Sequence, residues 1–472
     1  MRHCQPVVLL PPEPEAVNLA TAQKPDAVPS LLAIWLQQLV DSKADTGIAW
    51  LDEARRNALD ELFKSGRLPG RKDERWKYFS LQALESVQLD LGIGSAKSFR
   101  TGASLLQDTG AALLSVQVGN DWQLPDGLQD SLPSGLRLLK LQEAVVEPGL
   151  EQRLKKLVSA IDLQGPSRIF EALNTANLDS ALVIHVAQNV DAGRLHLAWQ
   201  QAAESRFDNF RVFVLLEENA RLQLLESHTP IAGENDEAVT LFNQLCQVQL
   251  SSGAQLDHLL VQAASASQHL LQFVQVDQAK DSQYRYSGFE LGGGLVRNDL
   301  QCNLNGAGAS ADLAAAFIGK GESCVDHHLL ADHRAQHCRS DQNFRGVLGG
   351  RSKGVFNGKA LICPGADGSS VRQSNANLLL SDLAEMNTKP ELEIYADEVE
   401  ASHGATVGQL DEQALFYLQT RGLAEEAARR MLTGAFCRAI GARLADRQLV
   451  EQIESLMDAA MPDMETDSEI EA

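Results

Sequence analysis

Four histidines and a cysteine, all able to bind a metal, fall within "VDHHLLADHRAQHC": His327, His328, His333, His337 and Cys338. Metal ligation is the chemistry this composition suggests. On a strand, however, adjacent side chains alternate faces, so His327 and His328 point apart. Six residues at ~3.3 Å each set His333 about 20 Å from His327. Metal to His bonds are only about 2 Å long, so this segment cannot wrap one ion by itself. The spacing puts these histidines on the outside of strands or along an interface between rungs, where ligands could still converge from different rungs or subunits.

His403 stands in "EASHGATVG" among Ala401, Ser402, Gly404 and Ala405, with no bulky neighbour to hide it. By itself it reads as an exposed loop histidine. Gly404 and Ala405 would also let another backbone or a cluster come close, which suits a ligand or a proton carrier at an interface.

Nucleotide chemistry is not expected. "GIGSAKS" (92–98) has Leu91 and Ala96 where a phosphate loop needs glycine, and "GGGLVR" (292–297) lacks the third glycine and the helix of a dinucleotide fingerprint. No G-x-S-x-G elbow, H-E-x-x-H pair or EF-hand loop occurs. Asp397-Glu398 and Asp411-Glu412 read as a solvated turn and a helix cap.

The elements that must position these residues follow from the wider pattern. The chain has 472 residues, enough for two or three domains or one elongated repeat. Its 41 basic and 63 acidic residues give a net charge of −22, which opposes nucleic acid and anionic lipid as partners. No apolar run approaches a membrane span, and the start, broken by Pro11, Pro12 and Pro14, does not read as a signal peptide. Cysteines at 4, 246, 302, 324, 338, 363 and 437 form no C-x-x-C pair, which fits a reducing cytoplasm rather than a disulfide framework.

Three regions are expected. Residues 1–165 are mainly helical, with apolar periodicity in "LLAIWLQQLV", "DEARRNALDELFKS" and "LEQRLKKLVSAI", Asp52 as an N-cap and Gly66 as a C-cap. From about 180 the period changes to 2, and short strands such as "FRVFVLLE" and "LLQFVQV" follow one another without helices. Turns are expected at Asn219-Ala220, Gly253-Ala254, Asn305-Gly306, Gly349-Gly350 and Asp367-Gly368. The absence of crossover helices excludes a doubly wound sheet and leaves sandwiches, barrels, propellers and β-helices over 166–410. With no fixed period or blade signature a propeller is disfavoured, and strands with Val, Leu and Ile inside and polar residues outside suit a parallel β-helix. Helices return over 411–472, with Asp411 as a cap, Gly422 as a stop and an acidic tail read as disordered.

The stretches "FRGVL", "GVFNGK", "NLLLSDLAEMNTKPELEIYADEVEASHGATVGQLDE" and "FYLQTRG", with "GGGLVRNDLQCNLNGAGA" and "DHHLLADH" upstream, resemble the SufB/SufD family of iron-sulfur cluster assembly proteins, nearest its SufD branch. The resemblance extends from about 170 to 440, with "KDERWKYFSLQAL" similar to the family's amino-terminal region. It implies a mainly β protein, a right-handed parallel β-helix core flanked by N-terminal and C-terminal α-helical regions. It further implies a non-enzymatic cytoplasmic subunit that pairs with a SufB-like paralogue and a SufC-like ABC ATPase, with a homodimer also possible. Its cargo is a transient Fe-S cluster or iron shared with the paralogue.

The family's site residue carries over to His403, at the paralogue interface. Gly404 stands where a SufB-like chain has glutamate, and Ser374 near the position of its cysteine. Ala401 replaces a cysteine found in some SufD sequences, so the resemblance implies that remaining cluster ligands come from the partner. The carboxyl-terminal helices correspond to the ATPase-docking region, where Leu415, Phe416, Met431, Leu432 and Phe436 supply apolar surface, most of it expected as hairpin core. The rival readings are a carbohydrate-acting β-helix enzyme and a purely structural homodimeric adaptor.

Overall fold

The computed structural model describes residues 30–42, 45–85, 87, 89–92, 105–107, 109–117, 128–200, 204–228 and 238–462. Cys4, the proline-rich start, most of 92–98 and the acidic tail from 463 lie outside them. The protein is mainly β, a parallel β-solenoid flanked by helices at both ends of the chain.

From Leu182–Val186 to Val399–Gly408 the strands alternate between two sheets, each strand pairing in parallel with those two before and two after it. At one end Leu136–Lys140 closes the ten-stranded sheet by pairing antiparallel with Leu182–Val186, and Ala112–Gln117 closes the nine-stranded sheet. At the other end Glu385–Ile394 and Val399–Gly408 are the outermost strands, and among the described residues no strand pairs with their outer edges.

One corner of the solenoid is a stack of left-handed residues. Asn219, Gly253, Asp281, Gly308, His337 and Gly368 all have φ between 56° and 75°, at intervals of 27 to 34 residues. Each donates its N–H to a carbonyl of the next rung, as from Gly253 to Lys280 (2.9 Å) and from His337 to Asp367 (2.9 Å). The following residue is small and buried every time: Ala220, Ala254, Ser282, Ala309, Cys338 and Ser369. The variable interval hides this repeat from a search for a fixed period. "GGGLVR" makes another close corner. A Cβ on Gly292 would sit 2.3 Å from the Ala264 carbonyl oxygen, so these glycines serve packing, not a nucleotide.

The lumen holds one long apolar cluster. Helices Leu31–Asp41, Ala49–Ser65 and Ile169–Ala176 cover the outer face of the ten-stranded sheet, with Trp35, Trp76, Phe170 and Phe207 at the contact. Helices Glu425–Gly441 and Arg447–Ala460 fold back over the nine-stranded sheet, burying Cys437, Ile440, Ile453 and Met457. Arg194 meets Asp446 at 2.7 Å, so the start of helix Arg447–Ala460 returns to the early rungs.

Gly66 ends its helix in the left-handed conformation and Asp411 caps Glu412–Thr420 through Gln413 N–H, as the sequence indicates. Asp52 does not cap. It lies inside the first turn of Ala49–Ser65, where its buried carboxylate accepts from the Thr46 N–H (3.0 Å) and hydroxyl (2.8 Å). No described helix is long and apolar enough to cross a membrane.

Candidate functional site

His403 lies in the middle of the edge strand Val399–Gly408, not in a loop. Glycines and alanines are poor strand formers, and this strand exists because Ser369–Leu379 templates it in parallel. The register forms a column across rungs, His258, Tyr286, Leu313, Gln342, Gln373 and His403, in which paired residues share a face. Gln342 and Gln373 are buried in the lumen, so His403 faces the lumen as well. It is exposed only because the solenoid is open there.

Ala401, Ala405 and Val407 share its face, and across the lumen Met386, Thr388, Pro390, Leu392 and Ile394 continue the inward columns of Gly354, Phe356, Gly358, Ala360 and Ile362. The open end is thus an apolar half-rung carrying one imidazole. A Cβ on Gly404 would meet nothing within 4 Å, which leaves the outer flank of His403 open to another chain.

The histidine cluster does not converge. His327 and His333 point into the lumen rather than outward or along an interface. His327 sits between Phe317 and Phe344, each 5.1 Å away, and His333 bonds the Ser340 hydroxyl at 2.8 Å. Burial pushes both down to about 4. His328 faces outward against Asp326 at 3.0 Å, while His337 and Cys338 belong to the corner stack. Among the described residues no three His, Cys, Asp or Glu side chains are placed to hold a metal ion.

A polar seam inside the lumen escaped the sequence reading. Glu226 accepts from Trp199 (2.6 Å) and Gln244 (2.7 Å) and bonds His258 (2.7 Å). Burial alone would raise its carboxyl, but the bond and charge of His258 outweigh that and hold it low. Glu290, bonded to Asn298 at 3.0 Å, is instead pushed by burial up to about 8. These residues alternate with apolar ones along strands, so only the register tells that they point inward.

Most of the described thiols are buried, apart from one another. Burial raises Cys246, Cys302, Cys324 and Cys338, and pushes Cys437 up to about 12. Cys363, half-exposed, is also raised, by burial and by Asp332 at 3.4 Å.

Comparison with known proteins decides the family. The family model for the SUF system FeS cluster assembly, SufBD core domain, matches residues 199–436, just over half of the chain. The chain belongs to the SufB/SufD family. Its relatives include an iron-sulfur cluster assembly SufBD family protein of Synechocystis, 28% identical over 81% of this chain and 85% of its own. The iron-sulfur cluster assembly protein SufD of Escherichia coli is 27% identical over 86% of this chain and 92% of its own. A SufBD family protein of Mycobacterium leprae is 33% identical over 37% and 46%. Within the SufB/SufD family the chain is close to SufD, and its role lies in iron-sulfur cluster assembly.

Proposed function

We propose that this chain is a non-enzymatic cytoplasmic subunit of a Suf-type assembly machine, joining a SufB-like paralogue at its open solenoid end and a SufC-like ABC ATPase through its carboxyl-terminal helices. The nascent cluster, or its iron, is cargo held transiently between His403 and ligands from the paralogue. One observation carries this reading: the lone imidazole of an apolar half-rung lies on an unpaired strand edge.

Unpaired edges invite strand addition unless they are guarded. Glu385–Ile394 is guarded by Pro390, which offers no N–H, and by Lys389, Glu391 and Glu393. Val399–Gly408 has no proline and Glu400 as its one charge, so it is the edge that accepts a partner. Covering it removes water from around His403, the condition under which a single imidazole can hold iron alongside thiolates. Those thiolates come from the partner, since no described cysteine shares the inward face of the open half-rung with His403.

Helix Glu412–Thr420 and its neighbour leave Phe416 (67% exposed), Tyr417 and Met431 uncovered, although Leu415 is buried and Phe436 is packed. The expectation of hairpin core fails for Phe416 and Met431, and that face suits the ATPase. ATP hydrolysis belongs to that partner, and movement of these helices, which directly follow Gly408, reaches His403 along the chain.

The carbohydrate-acting alternative needs free paired carboxylates in a groove. The cleft beneath Glu74 and Arg75, about 490 Å³, is lined by five carboxylates, and each meets a cation: Glu171 and Asp162 meet Arg168 at 2.9 and 3.5 Å, Asp299 meets Arg297 at 3.0 Å, and Glu74 and Glu391 meet Lys389 at 3.3 and 3.1 Å. These pairings count against acid-base work there.

The test is co-expression with the two partner proteins. Val407→Asp, which buries a lone charge costing on the order of 3–5 kcal/mol, is expected to lose the paralogue and keep the ATPase. Phe416→Ser is expected to do the reverse. If Val407→Asp keeps the paralogue, the open end is not the joint, and a wild-type chain that self-associates through this end while ignoring the paralogue points to the homodimeric adaptor.

A further inference from the structure

We infer that Gln373 is a positioning residue for His403, accepting a hydrogen bond from one imidazole nitrogen so that the other points outward to the cargo. The inference rests on the reading of His403 as a ligand given above. Gln373 is the residue beneath His403 in the register, one strand spacing away, about 4.8 Å. Its Nε2 donates to Gln342 Oε1 at 2.7 Å. That bond orients the amide and leaves Gln373 Oε1 buried with no hydrogen-bond partner, as it does Gln342 Nε2 one rung further in.

A buried carbonyl with no donor costs about 1–3 kcal/mol. The amide also has little freedom to turn away. It reaches across the lumen to Gly358, where an added Cβ would lie 2.3 Å from Gln373 Nε2. The neighbouring acceptor at this end is already used, since Asn375 Oδ1 receives Thr388 Oγ1 (2.9 Å) and Asn377 Nδ2 (2.7 Å). The unused acceptor and the unused imidazole therefore share one column.

The chemistry fits metal ligation. An imidazole that ligates through one nitrogen carries its proton on the other, and that N–H almost always donates to a carboxylate or carbonyl, which fixes tautomer and ring orientation. In the open chain water can accept this proton. Once a partner rung covers the end, Gln373 Oε1 is the acceptor that remains on the lumen side, and the free lone pair faces the partner.

The experiment uses the full chain in complex with its paralogue and ATPase, isolated anaerobically and titrated with ferrous iron, with wild type, Gln373→Met and His403→Ala compared. Methionine keeps the volume but exchanges one orphaned buried carbonyl for another, Gln342 Oε1, so a merely structural Gln373 predicts little change or a loss in thermal stability with unchanged iron binding. The positioning role predicts an intact subunit ratio and, whatever the change in stability, iron affinity weakened about 10–100-fold. A second readout needs no variant: ¹⁵N-histidine spectra of the wild-type complex should show His403 in a single tautomer. Wild-type affinity in Gln373→Met, or mixed tautomers in the wild type, with iron lost in His403→Ala, overturns the Gln373 role and leaves His403 standing. Retained iron in His403→Ala overturns the ligand reading itself.

Discussion

The guanidinium of Arg297 lies 4.1 Å from the ring centre of Trp76, fully buried between the solenoid and the amino-terminal region. Arg297 donates to Asp326 at 2.7 Å and to the Arg75 carbonyl at 2.7 Å, and it also pairs with Asp299. The "KDERWKYF" segment is thereby clamped to the ten-stranded sheet. Arg297→Met takes a cation from two buried carboxylates, of which Asp299 keeps Arg75 and Asp326 keeps His328, and the unfolding free energy is expected to fall toward the lower end of about 3–5 kcal/mol. Arg297→Lys, which keeps charge but loses the planar fork, should fall between. Urea midpoints measure both, and a loss below about 1 kcal/mol for the methionine variant would show that the clamp contributes little.

Stability should have two pH limbs. His196, His228, His269, His327 and His333 are pushed by burial down to about 4. Each is neutral in the fold but gains a proton on unfolding below its ordinary value of about 6.5. Stability is therefore complete above that pH and falls as pH drops toward 4. Glu290 works oppositely. Its folded value of about 8 lies above the unfolded one, so its contribution is present in acid and is lost as pH rises through 8. Urea midpoints at pH 5, 7 and 9 should peak at 7, and Glu290→Gln should flatten the fall from 7 to 9 and, because the loss begins near the unfolded value of 4.5, steepen the rise from 5 to 7. An unchanged alkaline limb in that variant would contradict the buried protonated carboxyl.

The corner stack separates structural from metal roles for two residues of the histidine cluster. His337 holds φ 59°, a conformation that costs a non-glycine residue about 1 kcal/mol. His337→Gly should be neutral or slightly stabilising, His337→Val clearly destabilising, and Cys338→Ala close to neutral, as alanine already fills this place at 220, 254 and 309. Thermal midpoints and bound iron decide. Iron lost in Cys338→Ala without loss of stability would restore a ligand role there.

Much of this architecture was legible because its signals are local. Strand period shows wherever Leu, Val and Phe line the lumen, and Gly66 and Asp411 act through their own backbone neighbourhoods. Asp52 was misread because the same acidic residue suits an N-cap and a first turn, and Thr46, six residues earlier, decides between them. The repeat stayed hidden because insertions between rungs vary its interval, although Asn219, Gly253 and Gly368 each show a turn. His403 looked like a loop residue since Gly404, Ala405 and Gly408 have no strand preference. What makes it a strand, and gives it the lumen face, is pairing with Ser369–Leu379. Register likewise turned His327 and His333 inward, where spacing alone had placed them outside.

The central claim is that His403 holds cargo at the covered solenoid end. The direct measurement is iron and acid-labile sulfide per anaerobically purified three-protein complex, wild type beside His403→Ala, with subunit ratio determined on the same samples. The account predicts an unchanged ratio and loss of both iron and sulfide in the variant. A variant complex that keeps its full iron and sulfide would contradict it and leave the chain an architectural subunit that holds its partners in register.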